Sequence, residues 1–199
     1  MANTFTPFGF SQRRGTGSAP TFEQTPALIA SGNSTPIFFG DAVVPVTSST
    51  TGYIQQATAG TVPLAGIFVG CKYTSVAQKR TVWSNYWPGS DANGDVEAYV
   101  VNDPNAQFLV ASNTGSAVGL ANVGKLCQLG VGTGTTATGL SGMYIASVGT
   151  TATFPFRIVS LYTDPVAPNG ADTTTQYNWL VVAFNNVLTR SNGAVTGIS

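Results

Sequence analysis

TVWSNYWPGSDANGDVEAYVVNDPNAQFLVAS, residues 81–112, joins the densest aromatic cluster of the chain to its clearest pair of strands. Val96 to Val101 is rich in β-branched and aromatic residues, which suit a pleated, half-buried surface, and Ala106 to Ala111 resumes an apolar run. Between them Asn102-Asp103-Pro104-Asn105 supplies a reversal. The proline ring presets the second position of a type I turn, and Asp103 suits the first, where its carboxylate accepts a backbone N–H. The stretch predicts strand, turn, strand, and gives Asp103 a structural duty that needs no chemistry.

The same grammar extends outward. From Pro36 onward, short apolar runs alternate with Gly, Asn, Asp, Ser and Thr: 37–46, 52–58, 62–73, 124–131, 140–148, 154–162 and 179–188 read as strands. Residues 114–123 read as one short helical turn, and Gly130 to Gly142 as a flexible Gly/Thr-rich excursion. Trp179 to Phe184 is apolar on both faces, which predicts a central strand. Many short strands without intervening helices predict an all-β fold, a jelly-roll or other β-sandwich or a barrel-like domain, over residues 36–199. Residues 1–35 have no such period. There Phe5, Phe8 and Phe10 are interleaved with Pro7 and Gly9, followed by Arg13-Arg14. Three Phe in six positions predict an extended N-terminal arm that orders when its rings find pockets on a partner, because burying one Phe stabilises by roughly 1.5–3 kcal/mol.

Composition narrows function. Charged residues make up 8% of the 199, against roughly a quarter in ordinary soluble domains, and eight cations balance eight anions. Such a chain has no long-range attraction for nucleic acid or for an acidic membrane, and a neutral polar surface favours association with other protein. Cys71 and Cys127 complete no zinc pattern; a disulfide is one reading, and two buried thiols the preferred one. The N-terminus lacks an apolar core of signal-peptide length and no run spans a bilayer, so the protein is expected to be made and used in a cytoplasm or to leave it only by a non-secretory route.

The sequence contains no His, which excludes Ser-His-Asp and Cys-His catalysis and His-ligated metals. Glu23, Asp41, Asp91, Asp95, Glu97, Asp103, Asp164 and Asp172 sit mostly in turn-like surroundings, and no spacing among them selects a glycosidase pair. Residues 119–126 fit a P-loop through Lys125 and then fail at Leu126, where Ser or Thr would hold magnesium. Asp91, Asn93 and Asp95 alternate like calcium ligands, but Gly94 is out of register and the twelfth position is Asn102 in place of Glu, so a loop tip is the better account. No metal, cofactor or catalytic residue is expected. Trp83, Tyr86 and Trp87 are read as packing or a subunit interface, with a ligand-stacking surface as the weaker alternative.

Four pieces, in order, resemble a family of small virion structural proteins of tailed bacteriophages. They are PFGF followed by Arg13-Arg14, then FFGDAVVPV, VPLAGIFVGCKYTS and YWPGSDANGDVEAYVVNDPNAQFLV, with VVAFNNVL near the end in support. The chain departs from the family pattern at Asn102-Asp103, where an acidic pair precedes the proline, and at Leu109, where a charged or amidic residue follows the Phe. The resemblance implies a head decoration, or cement, protein on the outside of an icosahedral shell, and no enzyme. Its partners would be the major capsid protein and its own copies in a homotrimer, with neither nucleic acid nor membrane. The expected contacts are Phe5, Phe8, Phe10, Arg13, Arg14, Trp83, Tyr86 and Trp87. A tail, neck or fibre component is the first alternative, and a carbohydrate-binding β-sandwich the second.

Overall fold

The structure, a computed structural model, describes residues 2–15, 23–48, 51–163 and 169–190. It is a β-sandwich of two six-stranded sheets. In the first sheet the strands lie in the order β1 (Ser11–Arg14), β8 (Gln107–Ala111), β12 (Trp179–Phe184), β11 (Phe156–Leu161), β9 (Leu126–Gly130), β10 (Tyr144–Gly149). The second sheet runs β2 (Thr25–Ile29), β7 (Val96–Val101), β5 (Gly66–Ser75), β3 (Ala42–Pro45), β4 (Ile54–Gln56), with β6 (Arg80–Ser84) paired to the far half of β5. Every pairing between these strands is antiparallel. A single 3-10 turn at Leu120–Asn122 stands where a helical turn was expected.

The opening stretch folds as read. β7 ends and β8 begins around a turn in which the Ala106 N–H donates to the Asp103 carbonyl at 2.9 Å and the Asn105 N–H donates to the Asp103 carboxylate at 2.9 Å. β7 and β8 then part company, one in each sheet, so this turn links the two layers. β12 lies inside its sheet between β8 and β11, as its two-sided apolarity requires.

Two apolar clusters hold the layers. The first lies between the sheets: Phe108, Phe156 and Phe184 from one side meet Ala42, Val44 and Ile67 from the other. The second covers the opposite face of the second sheet, where Ile29, Val43, Phe68, Val96, Ala98 and Val100 are roofed by Ile37 and Trp87. The second sheet is thus apolar on both faces near β3 and β5, and a bulge between Phe68 and Gly70 switches the parity of β5 so that Cys71 and Tyr73 keep facing the second cluster.

The N-terminal segment departs from expectation. Residues 2–15 do not stand away from the sandwich: Phe10 is 1% exposed and stacks on Phe156 with centroids 4.4 Å apart, edge-on to Phe108 at 6.5 Å. β1 extends the first sheet and β2 the second, so the segment expected as an arm contributes one strand to each layer. The pocket that Phe10 needed is in its own chain. The glycine-rich stretch also differs from the expected flexible excursion. Thr135 and Leu140 close a turn, the Phe39 N–H donates to the Gly139 carbonyl while the Phe39 carbonyl accepts from the Ser141 N–H, and a Cβ at Gly134 would lie 2.2 Å from the Phe38 ring. Small residues are there because backbone and ring approach too closely for side chains. Cys71 and Cys127 are free, buried thiols, as read from the sequence.

Two consequences are measurable. Phe10→Ala and Trp87→Ala should each cost about 3–5 kcal/mol of unfolding free energy, because each empties a fully buried aromatic site; urea unfolding of the Phe10 variant at wild-type stability would restore the free arm. Burial pushes the Cys71 thiol up to about 12 and that of Cys127 higher still. Neither should therefore react with a thiol reagent at neutral pH until denaturant is added, and rapid labelling of the native protein would contradict the packing.

Candidate functional site

Strand parity builds the most distinctive surface of the molecule. In β7, Val96, Ala98 and Val100 point into the second cluster, which sends Glu97 and Tyr99 to the other face. Cross-strand register then lines up Leu28, Glu97, Lys72 and Trp83 in one row across β2, β7, β5 and β6. The neighbouring row carries Pro26, Tyr99 and Gly70. This is the same side of the sheet that packs on the first sheet further along, but here the face is open: Trp83 is 67% exposed and Leu28 45%.

Within that face the geometry is specific. Gly70 has no side chain, and the Trp83 and Tyr99 rings lie with centroids 6.0 Å apart and planes within 3°. The Lys72 ammonium sits 5.1 Å from the Trp83 ring centroid and 3.6 Å from the Glu97 carboxylate, while the Tyr99 hydroxyl donates to the same carboxylate at 3.0 Å. The charges at the platform are therefore internally matched. Beside the rings a groove of about 640 Å³ is lined by Gln24, Val69, Gly70, Cys71, Ser84 and Asn85. The Asn85 side-chain N–H donates to the Thr138 carbonyl at 2.9 Å, which fixes the amide.

A second constellation is built around a buried acid. Asp41 is 1% exposed, and its carboxylate accepts from the Phe38 N–H at 2.8 Å, the Gln56 amide at 2.7 Å and the Ser141 hydroxyl at 2.5 Å. Burial pushes its carboxyl above the usual 3.8, and the three hydrogen bonds pull back only part of that rise. Every oxygen is engaged by a fixed donor, so the arrangement is a structural tie, with no open position for a reacting atom.

Of the residues expected at an interface, Trp83 alone of the tryptophan pair reaches solvent. Trp87 is fully buried, edge-on to Tyr73 at 5.1 Å, with its indole N–H donating to the Asn33 carbonyl at 3.2 Å. It is a core residue of this chain, because the β6–β7 connection folds back as a roof over the second cluster. Tyr86 is half-buried and stacks on Phe38. Phe5 is half-buried against Tyr144 and Tyr177, and Phe8 lies edge-on to Trp179. Arg13 and Arg14 are exposed on β1, with the Arg13 guanidinium 5.4 Å from the Tyr162 ring.

The carboxylates of the described residues do not gather at one site. Asp91 accepts from the Ser75 hydroxyl and the Ala77 N–H, bonds that hold it below its usual value, whereas Asp95 accepts from the Tyr53 hydroxyl. The alternating Asp, Asn, Asp run thus splits between two directions and ties its loop to β5 and to Tyr53. Among the described residues no three His, Cys, Asp or Glu side chains gather where a metal could sit, and Asp164 lies outside them. No helix of the described residues is long and apolar enough to cross a membrane. No family model, curated protein or solved structure matches the chain.

The Asp41 tie has a signed pH dependence. A carboxyl whose folded value is raised stabilises most below its unfolded value, and that contribution is lost as pH rises through the folded value. Asp41→Asn keeps the shape without the charge, so its stability relative to wild type should climb from about pH 4 upward and then level off. Asp41→Ala, which strands the Phe38 and Gln56 donors, should lose about 1–3 kcal/mol at any pH. Thermal melts of the three proteins from acid to neutral pH decide this, and a wild-type advantage over the Asn variant that grows with pH would contradict it.

Proposed function

We propose that this chain is a structural subunit of a tailed-phage virion, a head decoration protein that binds the outside of the shell between major capsid subunits and stabilises it as a homotrimer. The observation that carries the reading is the edge strand β1. The segment resembling the family's N-terminal motif forms the rim of the first sheet, with the Arg13 and Arg14 side chains exposed on it and the partly exposed Phe5 and Phe8 rings alongside. The exposed charges and partly exposed rings along this rim give a segment of the capsid a surface to dock on. Phe10 and Trp87 have no part in this contact, since each is spent on the chain's own core. A charge-poor surface with an overall balance of zero suits a protein whose work is to sit against other protein.

Three attached copies would bind together what one binds weakly, since after the first contact the remaining two form at high effective concentration. The function is then mechanical: the shell must break several edge contacts at once to rupture. Arg13→Glu combined with Arg14→Glu should leave the melting temperature within a few degrees of wild type, because both side chains are exposed. The same variant should fail to co-sediment with purified heads that lack the protein. Undiminished head binding would overturn the docking edge. Copy number on intact particles separates head from tail: a stoichiometry comparable to the major capsid protein supports decoration, and about a dozen copies or fewer would place the chain in the tail or neck.

A further inference from the structure

We infer that the open face of the second sheet is a binding site for a neutral saccharide, with Trp83 and Tyr99 as the stacking platform. This does not rest on the virion reading, and it uses a different sheet from the β1 edge. Trp83 is 67% exposed and presents an aromatic surface of the sort that a sugar ring covers with its C–H face, with the parallel Tyr99 ring stacked 6.0 Å away. Gly70, between them on β5, lets a ligand approach the strand backbone. The groove beside the rings is lined in part by Gln24, an exposed residue whose amide has both a donor and an acceptor for ring hydroxyls.

The charge pattern selects among occupants. Lys72 faces Glu97 at 3.6 Å, so the platform presents no uncompensated cation to a phosphate, sulfate or uronate. Single-stranded nucleic acid also stacks on aromatic residues, but it requires a basic groove along its backbone. The nearest further cation on β6, Arg80, holds the Gln78 side chain at 2.8 and 3.0 Å. An uncharged, polyhydroxylated ligand remains the chemistry that fits an exposed aromatic face and zero local charge together. Trp87, buried behind the sheet, contributes nothing to this surface.

The test uses the full chain on an array of neutral and acidic glycans, followed by calorimetry with the best neutral oligosaccharide, for which cello-, chito-, malto- and manno-oligosaccharides are the starting probes. The expected result is binding to at least one neutral glycan, unchanged in strength between about 0.05 and 0.5 M salt. Trp83→Ala should weaken it by about tenfold or more, the loss expected for removing one stacking ring. Trp83→Phe should retain part of the affinity, and both variants should melt with wild type, since the side chain is exposed. Four results would overturn the proposal: no neutral glycan bound, neutral binding that Trp83→Ala leaves intact, binding confined to acidic glycans or polynucleotides, or a concentration-dependent dimer that Trp83→Ala dissolves and that excludes sugar.

Discussion

A carboxylate that cannot reach water organises the centre of this molecule. Asp41 draws its three donors from its own turn at Phe38, from β4 at Gln56 and from the glycine-rich loop at Ser141, the last a hundred residues away in the chain. Unsatisfied, such a group would cost several kcal/mol, so the three segments must meet where they do. The neighbouring backbone follows. The Gly40 N–H donates to the Phe68 carbonyl on β5, and the Gly40 carbonyl accepts from the Phe10 N–H at 2.9 Å. Through that last bond the tie also sets where the N-terminal segment enters, and with it the ring of Phe10 at the heart of the inter-sheet cluster.

The two sheets are not coextensive, and this mismatch produces the exposed platform. The first sheet covers the second along β3, the start of β5 and the end of β7, where Ala42, Val44, Ile67 and Val101 join the inter-sheet core. Beyond the bulge at Gly70 the same face continues without cover, while the opposite face stays roofed by Trp87 and Ile37. A half-sheet with one dry and one open face is stable because its alternation is strict: small and β-branched residues inward, Glu97, Tyr99, Lys72 and Trp83 outward. An aromatic pair on an open strand face is a choice that folding alone does not require.

Much of the fold was legible in sequence, and the failures have physical causes. β7, β8 and β12 could be read because alternation, β-branching and the Asp103-Pro104 turn agree there. The segment 37–46 narrowed to a four-residue β3, since the backbone of residues 37–41 is consumed in bridges and in the Asp41 turn. β1 and β2 were missed because SQRR and TPALI carry no strand signal of their own; their pairing is imposed by β8 and β7, and edge strands tolerate such composition. Phe10 was misassigned to a partner because sequence cannot say whose pocket a ring fills. At the open face Trp83 was visible as an aromatic, but Tyr99 was passed over. The alternation of Val96, Ala98 and Val100 already put it on the outward side, and only the register with Gly70 brings it beside Trp83.

The β1 edge and the Trp83 face share no residue and belong to different sheets. Each is connected to the rest of the protein through well-packed core, and neither contains the buried groups on which stability depends. Substitutions at one should therefore add to substitutions at the other with little coupling. That separability bears on how so few charges suffice. With eight cations and eight anions in the whole chain, long-range fields cannot steer either surface toward a partner. Any recognition at these surfaces would have to come from short-range features, the side chains along the β1 rim in one case and exposed aromatic rings in the other. The aromatic face would be insensitive to ionic strength, whereas a contact through Arg13 and Arg14 would weaken with salt. A surface poor in charge thus does not lack specificity; it relocates specificity to backbone geometry and aromatic shape.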